Sequence, residues 1–293
     1  MLLQQVINGI LTGSVYALFA LGFNLVLGAL NILNVAQGAI FTLSAFVAYY
    51  LISIYGVPFP LALLAATVAG GGINVLLELL VFRPLRSRGG SAMSSLVASI
   101  GASMILISVA QLMSGAQVER FPFGTLPEIQ WTEFGMRISF TQVLVLVTTM
   151  VTMAGTYILL NRTRLGKAIR TIAFDERIAR MLGIPTVSVA RWTFFVSGAL
   201  GGLAGVLLGI MYNSVYFLMG EPYVLKGFAA IVIGGFGSVT GVIVASMMIG
   251  LLEVFSTVIG IGTFRDVVTF GVLFLFLLFR PNGLFGRDEE VRP

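Results

Sequence analysis

The stretch Asn161–Ile184, NRTRLGKAIRTIAFDERIARMLGI, is the one long polar interval in a chain of 293 residues of which only 10% are charged. From Arg162 to Arg191 seven basic residues stand against Asp175 and Glu176, a net +5 that equals the formal charge of the whole chain. Everything outside the interval therefore sums to zero, and long apolar runs flank it on both sides. A basic interval between apolar runs reads as a cytoplasmic loop of a membrane protein, because Lys and Arg set the orientation of the spans beside them.

The interval is also patterned as folded structure. Leu165, Ala168, Ile169, Ile172 and Ala173 recur at helical spacing and form one apolar stripe. Asp175 stands where an N-cap belongs, able to accept from the amides of Arg177 or Ile178. Glu176 suits the positive end of a helix dipole. Gly183 can take the left-handed conformation after a helix, letting Ile184 pack back on Ala179 while Pro185 bars continuation. Two short helices are expected, roughly Arg164 to Phe174 and Glu176 to Leu182, joined at a bend. The pattern alone leaves two uses open: an amphipathic loop lying on the surface, or a helix pair on which another protein pushes.

Composition narrows the class. A hydrophobic fraction of 58% and a mean hydropathy of +1.02 exclude an ordinary soluble domain. No charge occurs before Glu78, leaving room for three spans of about 20 residues each. The chain has no Cys and no His, which removes disulfides, thiolate chemistry, imidazole metal ligands and the usual general base. Its basic balance is that of a cytoplasmic loop, and nucleic acid is not an expected partner. The N-terminal MLLQQVING lacks a basic start and a small-residue cleavage site, so the first span is expected to be retained.

Apolar length and flanking charge place the spans. They are expected at roughly Val6–Leu30, Val35–Tyr55, Phe59–Phe82, Ser91–Gly115, Ile138–Leu160, Trp192–Tyr212, Ser238–Val258 and Ile259–Phe279. Arg83, Arg86 and Arg88 end the third on the cytoplasmic side. The loop Ala116 to Arg137 carries Glu119, Glu128 and Glu133 against Arg120 and Arg137, and suits the outside. Tyr223 to Phe236, with Lys226 and the run GGFGS, is short for a span and reads as a broken or re-entrant helix. The fold class is therefore all-α: a polytopic membrane protein with about eight crossings plus one short helix. It is one transmembrane domain over 1–293, with its cytoplasmic loop at about 161–191 and its N-terminus outside. Gly201, Gly205 and Gly209, with Gly198 and Gly202 on a second row, let helix backbones approach closely. Gly9, Gly13 and Gly22 in the first span and Gly70, Gly71 and Gly72 in the third fit the same purpose. No internal repeat stands out.

Few polar groups lie within the spans. Lys226 and Glu253 are ionisable at membrane depth, where charge is costly and needs a partner or a cavity. They can pair with each other or line a translocation path. Asn31, Asn34 and Gln37 cluster where the first two spans meet, either along a polar passage or as helix caps. Glu78 lies about one turn from Arg83 and can pair with the interfacial arginines. Nothing resembles a catalytic constellation or a metal cluster, and no cofactor is expected.

Seven stretches together resemble one family. They are Asn8-Gly9 with Gly13 to Leu18, LNILNVAQGAI from Leu30, FRPLR from Phe82, and GKAIRTIAFDERIARMLGI from Gly166. SGALGGLAGVLLG from Ser197, KGFAAIVIGGFGSVTG from Lys226 and RPNGLFGR from Arg280 complete the set. The chain resembles, nearly end to end, the membrane permease subunit of the branched-chain amino acid type of ABC importer. Gln37, where related sequences often carry His, and Leu79, where an Arg often follows the glutamate, depart from the pattern. The resemblance implies an ATP-driven importer with a second permease subunit, separate cytoplasmic ATPases and an external solute-binding protein. It implies that Gly166, Arg170, Ala173, Asp175, Glu176, Ala179 and Gly183 belong to the element that couples to the ATPase. Relatives carry branched-chain amino acids, other amino acids, urea or amides. An ion-gradient-driven transporter and a membrane scaffold are the competing classes.

The sequence contains no Walker-type GxxxxGK[ST] run. The purified chain, free of partners, is expected to release no phosphate from ATP above a protein-free blank. Turnover by the chain alone overturns that expectation.

Overall fold

Two asparagines in the left-handed conformation, Asn31 at φ 53° and Asn213 at φ 46°, mark where two long helices break. The computed structural model describes residues 2–127, 129–133, 136–260, 262–280 and 283–285. Its first helices are α1 (Leu2–Leu30), α2 (Gln37–Ser53) and α3 (Phe59–Leu77), the last running through a π-helical turn at Glu78–Phe82 into α4 (Arg83–Ser87). Next come α5 (Ala92–Ser114) and a hairpin of β1 (Gln130–Glu133) and β2 (Met136–Ser139), with Gln130 opposite Ser139. Then follow α6 (Phe140–Arg162), α7 (Arg164–Phe174), α8 (Glu176–Met181) and α9 (Thr186–Tyr212). Finally come α10 (Glu221–Gly234), α11 (Val239–Val258) and, after a tight turn at Gly262–Phe264, α12 (Arg265–Phe279). Glu128 and most of the polar tail lie outside the described residues.

The protein is an all-α polytopic membrane protein. Among the described residues, six helices are long and apolar enough to cross a bilayer: α1, α3 with its extension, α5, α6, α9 and α11. The expected second and last spans are shorter than the apolar runs suggested. Helix α2 has 17 residues because the chain before it, 31–36, folds into the protein. Helix α12 has 15, about 22 Å, because Gly260 at φ 85° stops α11 and the next helix starts only at Arg265. The short helix foreseen at Tyr223–Phe236 is α10, with 14 residues.

Helix α1 sits at the centre, and every residue from Leu11 to Leu27 is buried. A helix apolar on all sides needs neighbours on all sides; α6, α9, α10 and α11 supply them. The outer helices α3, α5, α6 and α12 expose Leu80, Ile105, Val151 and Phe274, the surface that hydrocarbon covers.

Contrary to the sequence reading, the fold contains an internal repeat. Adding 182 to a residue number carries Asn31 to Asn213, Gly38 to Gly220 and Phe41 to Tyr223. The contacts obey the same exchange. Gly38 abuts Gly220 and Val224, while the Gly220 amide donates to Thr42 Oγ1 at 3.0 Å. Phe41 stacks on Tyr223 with ring centres 5.1 Å apart. Helix α11 packs on α1 as α3 packs on α9. Helix α2 runs alongside α9, with Gln37 at Gly201 and Phe41 at Gly205; α10 runs alongside α1, with Tyr223 at Tyr16 and Gly227 at Phe19. The units α1–α3 and α9–α11 are thus related by a pseudo-two-fold axis between Gly38 and Gly220, an inverted repeat of the kind transporters use. Each unit is one long helix, a break, a shorter helix that starts inside the protein, and a third helix packed on the long helix of the other unit.

The glycine rows close the seams. Gly201 and Gly205 meet the side chain of Gln37 and the carbonyl of Phe41, and Gly198 meets Gly70. Gly72 is the exception, since nothing lies within 4 Å of the place a Cβ would take. Gly205→Leu is therefore expected to cost more than the roughly 1–3 kcal/mol of an overpacked core, because its obstacle is backbone. Gly72→Leu and Leu207→Ile should leave the yield of monodisperse protein and its unfolding temperature near wild type. Equal behaviour of the Gly205 and Gly72 variants would remove the seam argument.

Candidate functional site

At the basic end of the molecule, α7 and α8 form the capped pair that the sequence suggested. Thr163 opens α7, its Oγ1 accepting from the Gly166 amide at 3.1 Å. Gly166 is buried against the carbonyls of Leu159 and Leu160, which leave no room for a side chain. Ile169 and Ile172 are buried and Leu165 and Ala168 half-buried, but Ala173, in the last turn of α7, is exposed although it stands on the same face as Gly166 and Ile169.

Asp175 ends α7 and caps α8, its Oδ1 accepting from the amides of Arg177 at 2.6 Å and Ile178 at 3.1 Å. Glu176 pairs with Arg180 across one turn at 2.5 Å. Gly183 sits at φ 76°, its amide donating to the Arg180 carbonyl while the Ile184 amide donates to that of Ala179, each at 3.0 Å. This double bond pattern is the Schellman stop. Ala179 is fully buried. Arg170 is exposed and reaches only Asn161, at 3.5 Å. Outward from the pair point Phe174, Met181 and Leu182, 80%, 78% and 69% exposed, beside Arg170, Arg177 and Arg180. That is an apolar surface rimmed with positive charge.

At mid-depth the two buried amides of the first break donate to structural partners, while Asn34 Oδ1 is buried without one. Asn34 donates to Asn74 Oδ1 at 3.0 Å, and Asn74 donates in turn to the Phe194 carbonyl at 2.8 Å. Gln37 donates to the Ser197 carbonyl at 2.8 Å. These bonds tie the re-entrant segment to α3 and α9. Asn31 is exposed at the end of α1. Glu78, fully buried, bonds Arg86 at 2.9 Å rather than Arg83.

Lys226 and Glu253 do come together, at 2.8 Å, and both are buried. The Tyr16 hydroxyl donates to Glu253 Oε2 at 2.5 Å, and Lys226 Nζ lies 3.4 Å from the Tyr16 oxygen. Tyr16 is residue 15 of the 29 in α1, its midpoint. Two residues the sequence reading overlooked complete the group. Asp266 lies 3.3 Å from Lys226, and Arg265 Nε lies 3.4 Å from Glu253. Two charges side by side within an otherwise apolar stretch were the signal available for them.

Residues 5–277 match the family described as branched-chain amino acid transport system / permease component. The chain belongs to this family. The permease is 33% identical to BraD of Pseudomonas aeruginosa, a high-affinity branched-chain amino acid transport system permease protein, over 98% of this chain and 96% of that one. To LivH of Escherichia coli, of the same description, it is 31% identical over the same shares. Among solved structures, PsaBC from Streptococcus pneumoniae in complex with Fab shares the fold, with TM-score 0.53 and 17% identity over 97% of this chain and 93% of that one. The permease is a multi-pass protein of the cell's inner membrane, and its part is transport rather than catalysis.

The charge cluster generates a direct expectation. Breaking one side of a buried ion pair typically costs about 3–5 kcal/mol. Lys226→Met and Glu253→Gln should each lower the yield of folded permease, and the double change should recover part of the loss. Strictly additive effects in this double-mutant cycle would mean that the pair is not energetically joined.

Proposed function

We propose that this permease forms one half of the membrane channel of an ATP-driven importer. In this reading it passes branched-chain amino acids, delivered by an external solute-binding protein, alongside a second permease subunit. Hydrolysis belongs to separate cytoplasmic ATPases that grip the α7–α8 pair. The observation that carries the reading is the outward face of that pair: three large apolar side chains, Phe174, Met181 and Leu182, on two short helices held by caps at Thr163, Asp175 and Gly183. A rigid lever is what a motor subunit needs, because force applied to a loosely held loop dissipates in the loop. Its seat on α1, α6 and α9 links it to the helices that carry both mid-depth breaks. The names of BraD and LivH support the substrate class. An ion-driven mechanism is disfavoured by Glu253, whose carboxylate already faces Lys226, Arg265 and the Tyr16 hydroxyl.

Asp175→Ala should lose about 1 kcal/mol of capping, and Gly183→Val should cost more, because a β-branched residue resists φ 76°. Both variants are expected in the membrane at normal level, with weakened retention of the ATPase on affinity purification and little uptake. Arg88→Ala is the control for charge at this end, since Arg86 is committed to Glu78. Wild-type ATPase retention and leucine uptake by both variants would show that α7–α8 is not the coupling element.

A further inference from the structure

The inverted repeat gives the charge cluster a built-in control. The same numerical shift that relates the two units carries Ser44 to Lys226 and Tyr16 to Gly198. In the first unit this place is a tight seam, with Ser44 beside Gly70 and Gly202. In the second unit it holds a lysine, a glutamate and a tyrosine. The fold therefore closes this junction without charge where it can, and the charges at Lys226 and Glu253 answer another need.

The surroundings point to what that need is. Glu221 and Asp266 are exposed at the edge of the group: Asp266 lies 3.3 Å from buried Lys226, and Glu221 opens α10. Exposed carboxylates are costly against hydrocarbon, which suits a flank that faces water or another protein. Between α10 and α12 lies a cavity of about 410 Å³, lined by these two carboxylates, Lys226 and apolar residues that include Leu225 and Phe270. The volume falls within the roughly 300–1,000 Å³ of small-molecule sites. One cation, two anions and an apolar wall in one cavity match an α-amino acid, whose head carries both charges and whose tail is aliphatic.

We propose that this cavity holds the transported amino acid on its way through the permease, an inference that rests on the importer reading above. The zwitterion inserts into the longer of the two lysine bridges, that to Asp266 at 3.3 Å. Its carboxylate takes Asp266's place on Lys226, its ammonium sits on Asp266 and Glu221, and its side chain lies against Leu225 and Phe270. Lys226 keeps Glu253 throughout, so no charge is left unpaired as the substrate enters or leaves. Because Asp266 opens α12, occupancy also releases that helix from α10.

The chain has no cysteine, so a single introduced one, with labelling read on the permease band after separation from its partners, reports on this cavity alone. The test uses the importer assembled with its ATPase and binding protein in liposomes. Leu225→Cys, and Tyr216→Cys as a second position, should react with a charged methanethiosulfonate, whereas Ile105→Cys on the outer face of α5 should not. Added L-leucine should protect the cavity cysteine. The half-protecting concentration should rise at least tenfold with Asp266→Asn, and be at least tenfold higher for 4-methylpentanoate, which lacks the ammonium group. Failure of both cavity cysteines to react, failure of leucine to protect, or equal protection by leucine and 4-methylpentanoate would each overturn the proposal. Absence of ATP-driven leucine uptake by the wild-type assembly would instead sink the importer reading, and leaves the protection measurement standing as a separate result.

Discussion

The contact between Gly38 and Gly220 is the constraint on which the remainder of the structure hangs. Two chain segments must enter the protein from opposite ends, meet at mid-depth and start helices there. Backbone polar groups at that depth have no water to turn to, so every turn must be satisfied by protein. The solution is visible in the bonds: Thr42 receives the Gly220 amide, Asn24 receives that of Gly237, and Gln37, Asn34 and Asn74 anchor the first break. Side chains larger than hydrogen at either glycine would push α2 and α10 apart. The pseudo-two-fold relation then follows, because both units solve the same problem with opposite orientation.

The two units differ where function asks them to. Around α9 the seam is glycine and serine, tight and uncharged. Around α1 it is opened by Tyr16, Lys226 and Glu253, whose charges are balanced by Asp266 and Arg265 from α12. Burying ions is expensive unless they are paired and hydrogen-bonded, and this group is both. A neutral group with two half-exposed members, Asp266 and Arg265, can exchange partners without stranding a charge.

The basic end follows a different logic. Its helices are held by caps rather than by depth: Thr163, Asp175 and Gly183 each settle backbone groups that would otherwise need water or a partner. Ile169, Ile172 and Ala179 then glue the pair to the spans, which leaves Phe174, Met181 and Leu182 outward. Rigidity below and apolar surface above make a fitting on which another subunit can seat.

How much of this was legible in the sequence depends on the range of the interaction. Caps and stripes are local, so the α7–α8 pair, its bend at Asp175 and its stop at Gly183 could be read residue by residue. Spans were legible too, because hydrocarbon demands apolar length and a basic flank wherever the segment lies. The motifs also carried the family. What the chain alone did not disclose was pairing across distance. Nothing near Lys226 in sequence points to Tyr16, 210 positions away, or selects Arg86 over Arg83 for Glu78. The inverted repeat was hidden for the same reason: its two copies share backbone demands, a left-handed asparagine and a glycine seven residues on, while their side chains diverged. Residue identity records what each position must be locally. Which positions meet is decided only when the two broken helices close on each other.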